Sequence, residues 1–89
     1  MKILKIGALW CPACLIVNKH LKKIAGYDLE IINYDYDMDE QIVKQYNIGT
    51  ILPVIIVLDN SGQEIKRLTG EVSQKEIIDM IEDVENEIY

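Results

Sequence analysis

An almost unbroken run of valine and isoleucine, from Pro53 to Leu58, limits the possible folds of this chain more than any other feature. A half-exposed strand would alternate polar and apolar residues, and this run does not. The longest apolar stretch around it, Ile51–Leu58, is too short to span a bilayer. Such a run is typical of a strand that is buried on both faces of a sheet. It therefore predicts an α/β domain with helices packed on both sides of a sheet.

The other segments supply the remaining elements of such a domain. Ser73, followed three residues later by Glu76, matches the capping box that opens a helix. The predicted elements are a strand Ile3–Ala8, a helix from the first cysteine to about Ala25 with Gly26 past its end, a strand Leu29–Tyr34, a helix Glu40–Tyr46, strands Pro53–Leu58 and Gln63–Leu68, and a last helix with the apolar stripe Ile77, Ile78, Ile81 and Val84. The order β-α-β-α-β-β-α predicts a mixed four-stranded sheet with a parallel first pair and an antiparallel final hairpin.

Size and charge narrow the functional classes. The 89 residues suit one domain, residues 1–89. The net charge of -6 argues against a nucleic-acid partner and against an anionic membrane surface. The first apolar stretch contains Lys5 and lacks a cleavage pattern, so we expect no signal peptide and a cytoplasmic location. We also expect a monomer.

The chemistry of the chain is concentrated in Trp10-Cys11-Pro12-Ala13-Cys14. Disulfide exchange needs a reactive thiolate and a second thiol that resolves the mixed disulfide. Two cysteines at this spacing supply both, and the positive end of the helix dipole favours the thiolate form of the first. Pro12 suits the first helical position, where a missing N–H costs nothing.

Helical periodicity predicts different roles for the two cysteines. At ~100° per residue, Cys14 shares the buried stripe of the helix with Val17 and Leu21. Cys11 lies at the tip of the helix, so we expect it to be exposed and to attack, whereas Cys14 is buried and resolves. Trp10 is expected to cover the site as an aromatic platform for an incoming chain.

The main alternative is a metal site, since the same cysteine spacing forms half of a zinc knuckle. A structural zinc usually has four ligands, and the chain has no second cysteine or histidine pair. His20 lies roughly 180° around the helix from Cys11. We therefore expect neither a metal ion nor a cofactor. Asp35, Asp37 and Asp39 are interpreted as a solvated turn.

These motifs together resemble the thioredoxin superfamily, and the likeness covers nearly the whole chain. It depends on the cysteine motif after the first strand, on the stretch Tyr46–Pro53 that leads into a later strand, and on Gly70 after the hairpin. The resemblance implies a thioredoxin-like fold. It also implies that Pro53 is cis and lies against the cysteines, and that the backbone of Leu52 docks substrate as an added strand.

The sequence departs from the family pattern in three respects. It begins at the first strand of the minimal fold, which is closer to glutaredoxins and small archaeal-type thioredoxins. Lys5 stands where thioredoxins carry a buried acid that assists the resolving cysteine. The glutathione-binding pattern of glutaredoxins is missing, since Leu52 precedes Pro53 and Glu71 follows Gly70.

The predicted function is thus a thiol–disulfide oxidoreductase that reduces protein disulfides through Cys11 and Cys14. Trp10, Pro12, Leu52 and Pro53 are the expected substrate-binding residues, and a disulfide reductase is the expected electron donor. Two alternatives remain open: a redox partner dedicated to one client, and a metal-binding or adaptor module on the same fold.

Overall fold

A computed structural model describes residues 2–24 and 30–88 of the chain. The elements are β1 (Lys2–Gly7), α1 (Pro12–Lys23), β2 (Glu30–Asp35), α2 (Glu40–Gln45), β3 (Val54–Leu58), β4 (Glu64–Thr69) and α3 (Gln74–Ile88). The sheet has the strand order β2-β1-β3-β4. Strands β1 and β2 are parallel, whereas β3 is antiparallel to both β1 and β4. The predicted mixed α/β sheet is confirmed.

The central strand β3 is buried along its whole length, as its sequence predicts. Its residues alternate between two apolar clusters on opposite faces of the sheet. Ile55 and Val57 pack with buried residues of α1 and α3, whereas Ile56 packs with both cysteines and with partly buried residues of α2. The helices therefore cover both faces, with α1 and α3 on one side and α2 on the other.

The ends of the elements differ from the prediction by one or two residues. Helix α1 ends at Lys23 because Ile24 already has extended backbone angles. The predicted helix end at Ala25 and Gly26, and the predicted strand start at Leu29, lie outside the described residues.

At the start of α3, the backbone N–H of Glu76 donates to Ser73 Oγ at 3.1 Å, which confirms the Ser73 half of the predicted capping box. The predicted apolar stripe needs one correction, because Met80 is buried on it and Ile78 is only half-buried. Met80 lies three residues after Ile77 and so faces the same side of the helix.

Strands β1 and β2 are parallel, so their C-terminal ends lie at the same end of the sheet. Helix α1 begins there, after the short segment 8–11. That end also carries the turn between β2 and α2 and the segment before β3. Three segments that are far apart in sequence therefore meet around the cysteines. None of the helices in the described ranges is long and apolar enough to cross a membrane.

Candidate active site

Cys11 is the residue that caps the N-terminus of α1. Its backbone is extended, with φ -102° and ψ 106°, and Pro12 follows within the first helical turn. The backbone N–H of Cys14 donates to Cys11 Sγ at 3.2 Å. Both cysteines are free thiols. The same N–H also donates to the Cys11 carbonyl at 3.2 Å, so the first thiol shares with that carbonyl one of the N–H groups exposed at the helix start.

The expectation that Cys11 is exposed is wrong, since only 6% of its surface is accessible. It belongs to the same buried cluster as Ile48 and Leu52, which lie far away in sequence. Helical periodicity describes contacts along one helix and cannot show that a distant segment packs against its first residue. The cysteine that would meet a substrate is therefore nearly covered.

The expected burial of Cys14 is confirmed, as it is 2% exposed and shares the buried face of α1 with Val17 and Leu21. Burial, and then the hydrogen bond to the Cys11 thiol, raises the pKa of Cys14 from 9.0 to about 11. The Ala8 backbone and the Lys5 ammonium act in the opposite direction. At neutral pH, Cys14 is thus held as the protonated thiol.

The peptide bond between Leu52 and Pro53 is cis, as the family resemblance implies. Leu52 belongs to the apolar cluster of the two cysteines, and the Pro53 side chain is fully buried. The Pro53 carbonyl accepts a hydrogen bond from the Gly70 N–H at 2.8 Å. Among the described residues, no backbone hydrogen bond uses the N–H or C=O of Leu52.

Trp10 precedes the cysteine pair and is fixed by the turn after β2. Its indole Nε1 donates to Asp37 Oδ2 at 2.8 Å, and its ring meets Tyr36 edge-on at a centroid distance of 6.4 Å. The indole is nevertheless 61% exposed. Sequence reasoning missed the part played by Asp37, because no local pattern links a residue in a solvated turn to a tryptophan before another helix.

The interpretation of the three aspartates as a turn is confirmed. Asp35 Oδ1 accepts from the backbone N–H groups of Asp37 and Met38 at 2.8 and 3.0 Å. Asp39 Oδ2 accepts from the N–H of Asp35 at 2.7 Å. These carboxylates hold the turn that anchors Trp10.

Lys5 of β1 is buried, with 5% of its surface accessible. It lines a groove of about 340 Å³ with Cys14, Asn18, Asp35 and Asp39, among other residues. Burial lowers the pKa of Lys5, and the two cysteines only partly oppose this effect. A lysine therefore lies beside the resolving thiol at the position where the resemblance implies an acid.

Exposed apolar side chains flank the cysteines in sequence or in space. Leu9 and Leu15 stand on either side of the motif, Ile51 precedes the Leu52–Pro53 segment, and Met38 follows the aspartate that binds Trp10. Exposed large apolar side chains near a reactive pair are candidates for contacts with other molecules.

The alternative of a metal site can be compared with the side chains around the cysteines. Within residues 2–24 and 30–88, no three histidine, cysteine or acidic side chains lie close enough together to hold a metal ion. The alternative metal site would therefore have only the two cysteine sulfurs as ligands from these residues.

Comparison with known proteins agrees with this geometry. The thioredoxin family model matches residues 2–83. No curated protein sequence is a significant match. Thioredoxin 1 from Thermosipho africanus is similar in structure, with a TM-score of 0.84, 29% identity, and coverage of 97% of this chain and 96% of that chain.

Two further solved structures extend the likeness. Mitochondrial thioredoxin 3 from Saccharomyces cerevisiae, in its oxidized form, has a TM-score of 0.80 and 26% identity, with 92% of this chain and 76% of that chain covered. A mutant thioredoxin from Halobacterium salinarum has a TM-score of 0.83 over 92% of this chain and 72% of that chain, and at 18% identity it supports the fold alone. The family model matches most of the chain, and the two cysteines lie at the start of helix α1, so the chain belongs to the thioredoxin family.

Proposed function

We propose that this protein reduces disulfide bonds in other proteins by dithiol exchange through Cys11 and Cys14. Membership of the thioredoxin family, together with two cysteines at one helix start, supports a thiol redox function in general. The observation that carries the more specific proposal is the hydrogen bond from the Cys14 N–H to Cys11 Sγ. It directs a helix N-terminus at the sulfur that must carry negative charge when it attacks.

The exchange proceeds in two displacements. The Cys11 thiolate attacks one sulfur of the substrate disulfide, a Cys11–substrate disulfide forms, and the other substrate sulfur leaves as a thiolate. Cys14 then loses its proton and attacks Cys11 Sγ. A disulfide forms between the two cysteines, and the second substrate sulfur leaves reduced. The protein gives up two electrons, which an external dithiol or a disulfide reductase must restore.

The surface around the cysteines suits an extended protein segment. The Leu52 N–H and C=O are free of backbone partners among the described residues, so a substrate strand could pair with them. The exposed side chains of Leu9 and Trp10, just before Cys11, and of Ile51, just before Leu52, offer apolar contacts. The dithiol must be regenerated by a reductant after each exchange. We therefore propose a cytoplasmic location, since the cytoplasm is a reducing compartment.

A turnover assay tests the proposal. Wild-type protein and Cys11→Ser are compared on a protein with exposed disulfides, with excess dithiothreitol as electron source. We expect the wild type to reduce the substrate well above the rate of dithiothreitol alone, and Cys11→Ser to fall to that rate. No acceleration by the folded wild type would contradict the proposal.

A trapping experiment addresses the breadth of substrates. In Cys14→Ser the second displacement cannot occur, so the Cys11–substrate disulfide accumulates. Several captured proteins would support a general reductase. A single recurring protein would indicate a dedicated redox partner, and the matched control is the double variant Cys11→Ser/Cys14→Ser, which should capture none.

A further inference from the structure

Lys5 is the only buried charged side chain among the residues with described burial. It lies in β1, an interior strand of the sheet, and pairs with Asn33 of β2 on one side and Ile55 of β3 on the other. A buried ammonium is costly unless a neighbouring group interacts with it. The surroundings of its Nζ atom therefore indicate what the charge does.

The Lys5 ammonium and the Cys14 thiol lie next to each other, beside the backbone of Gly7. A Cβ atom added at Gly7 would lie 3.2 Å from Lys5 Nζ and 3.3 Å from Cys14 Sγ. The two atoms thus border the same small space, and they can be no farther apart than these two distances combined. The absence of a side chain at Gly7 keeps that space open.

Among the described residues, the acidic groups nearby form no ion pair with Lys5. Asp35 and Asp39 line the same groove, but their carboxylates accept hydrogen bonds from backbone N–H groups. The described residues supply no carboxylate within ion-pair distance of Lys5. The titratable and charged groups that face Lys5 are the thiols of Cys11 and Cys14, and those lining the groove beside it are Tyr34, Asp35 and Asp39.

We infer that Lys5 is a positioning residue whose ammonium stabilises the Cys14 thiolate while Cys14 attacks the Cys11 sulfur. The inference rests on the proposed function for the exchange step itself. In that step the S–H bond of Cys14 breaks and its proton passes to solvent in the groove. The electron pair on Cys14 Sγ forms the bond to Cys11 Sγ, and the bond between Cys11 and the substrate sulfur breaks, with its electron pair leaving on that sulfur. Lys5 stays protonated throughout.

The electrostatics of the two groups are consistent with this arrangement. Lys5 lowers the pKa of Cys14 against the effect of burial. The two cysteines in turn raise the pKa of Lys5 against its own burial. Each group therefore favours the charged form of the other, as expected for a thiolate and an ammonium a few ångströms apart.

The test measures the reactivity of Cys14 alone. In a Cys11→Ala background, the alkylation rate of Cys14 by iodoacetamide is followed by mass spectrometry between pH 7 and pH 10. We expect Lys5→Met to slow alkylation about tenfold at pH 8 and to move the whole pH profile upwards by about one unit, because a neighbouring charge is lost. Lys2→Met removes the same charge from the exposed end of the same strand and is expected to stay within about twofold of the parent.

Two results would overturn the inference. One is an unchanged rate in folded Lys5→Met. The other is an equal slowing in folded Lys5→Arg, since that variant keeps the charge and the slowing would then indicate altered access. If Lys5→Met does not fold, Lys5→Gln takes its place, and Lys5→Arg, which keeps the charge, should retain the parent profile.

The experiment uses no disulfide substrate, so its result is independent of the turnover assay. A shifted profile with an inactive wild type would reject the proposed function and retain the effect of Lys5 on Cys14. An active wild type with an unmoved profile would reject the role of Lys5 alone.

Discussion

The indole Nε1 of Trp10 donates a 2.8 Å hydrogen bond to Asp37 Oδ2 across 27 positions of the chain. The bond joins the segment before α1 to the turn after β2. It fixes an aromatic ring next to Cys11 although most of that ring is exposed to solvent. Since the chain has one tryptophan, its tryptophan fluorescence reports on this ring alone.

Loss of this hydrogen bond should free the indole. In Asp37→Ala we expect a larger amplitude of fast motion in time-resolved fluorescence anisotropy. The free energy of unfolding should fall by about 1 kcal/mol or less, because the bond lies at the surface. Asp37→Asn retains an oxygen acceptor and should restore much of the rigidity. Anisotropy that is unchanged in Asp37→Ala would mean that the contact with Tyr36 is enough to hold the ring.

The raised pKa of Cys14 predicts a loss of stability in alkali. The unfolded state releases this proton near pH 9.0 and the folded state near pH 11, so between these values the unfolded state binds fewer protons. The contribution of Cys14 to the free energy of unfolding is therefore fully present below about pH 9. It is lost as the pH rises through 11, and the loss is at most about 3 kcal/mol. Urea unfolding of the reduced wild type at pH 8 and pH 10.5 measures the loss. Cys14→Ala serves as the control for all other titrating groups, and an equal loss in that variant would contradict the prediction.

Gly7→Ala should separate Lys5 from Cys14. The added Cβ would lie 3.2 Å from Lys5 Nζ and 3.3 Å from Cys14 Sγ, and both distances are shorter than an ordinary van der Waals contact. We expect the flexible lysine end to move away, with a stability loss of about 1–2 kcal/mol and slower alkylation of Cys14. Gly49→Ala is the matched control, since a Cβ there meets nothing within 4 Å. Equal effects of the two substitutions on Cys14 reactivity would show that the space at Gly7 is unimportant.

The two faces of β3 can be tested with a pair of neighbouring substitutions. Ile55 and Ile56 are both fully buried, but only Ile56 belongs to the cluster of the cysteines. Ile55→Val and Ile56→Val should each cost about 0.5–1.5 kcal/mol of stability. Only Ile56→Val is expected to change the alkylation rate of Cys11. If Ile55→Val changes that rate as much, the effect comes from general loosening of the sheet.

Local sequence patterns were sufficient to predict the helices and strands and the burial of Cys14. The valine and isoleucine run Val54–Leu58 specified a strand buried on both faces, because an apolar residue at every position leaves no face for water. The stripe Cys14, Val17 and Leu21 specified which side of α1 faces the sheet. Both inferences depend on periodicity within one element, and both are confirmed.

Contacts between distant segments were decided only by the tertiary structure. The burial of Cys11 in the cluster that contains Leu52, and the bond between Trp10 and Asp37, join segments that no local pattern connects. The family resemblance implied that Lys5 stands where an acid is expected, but not that its ammonium shares a space with Cys14 next to Gly7. Periodicity determines which face of an element is apolar. Only the packing of strands and helices against one another determines which side chains meet across that face.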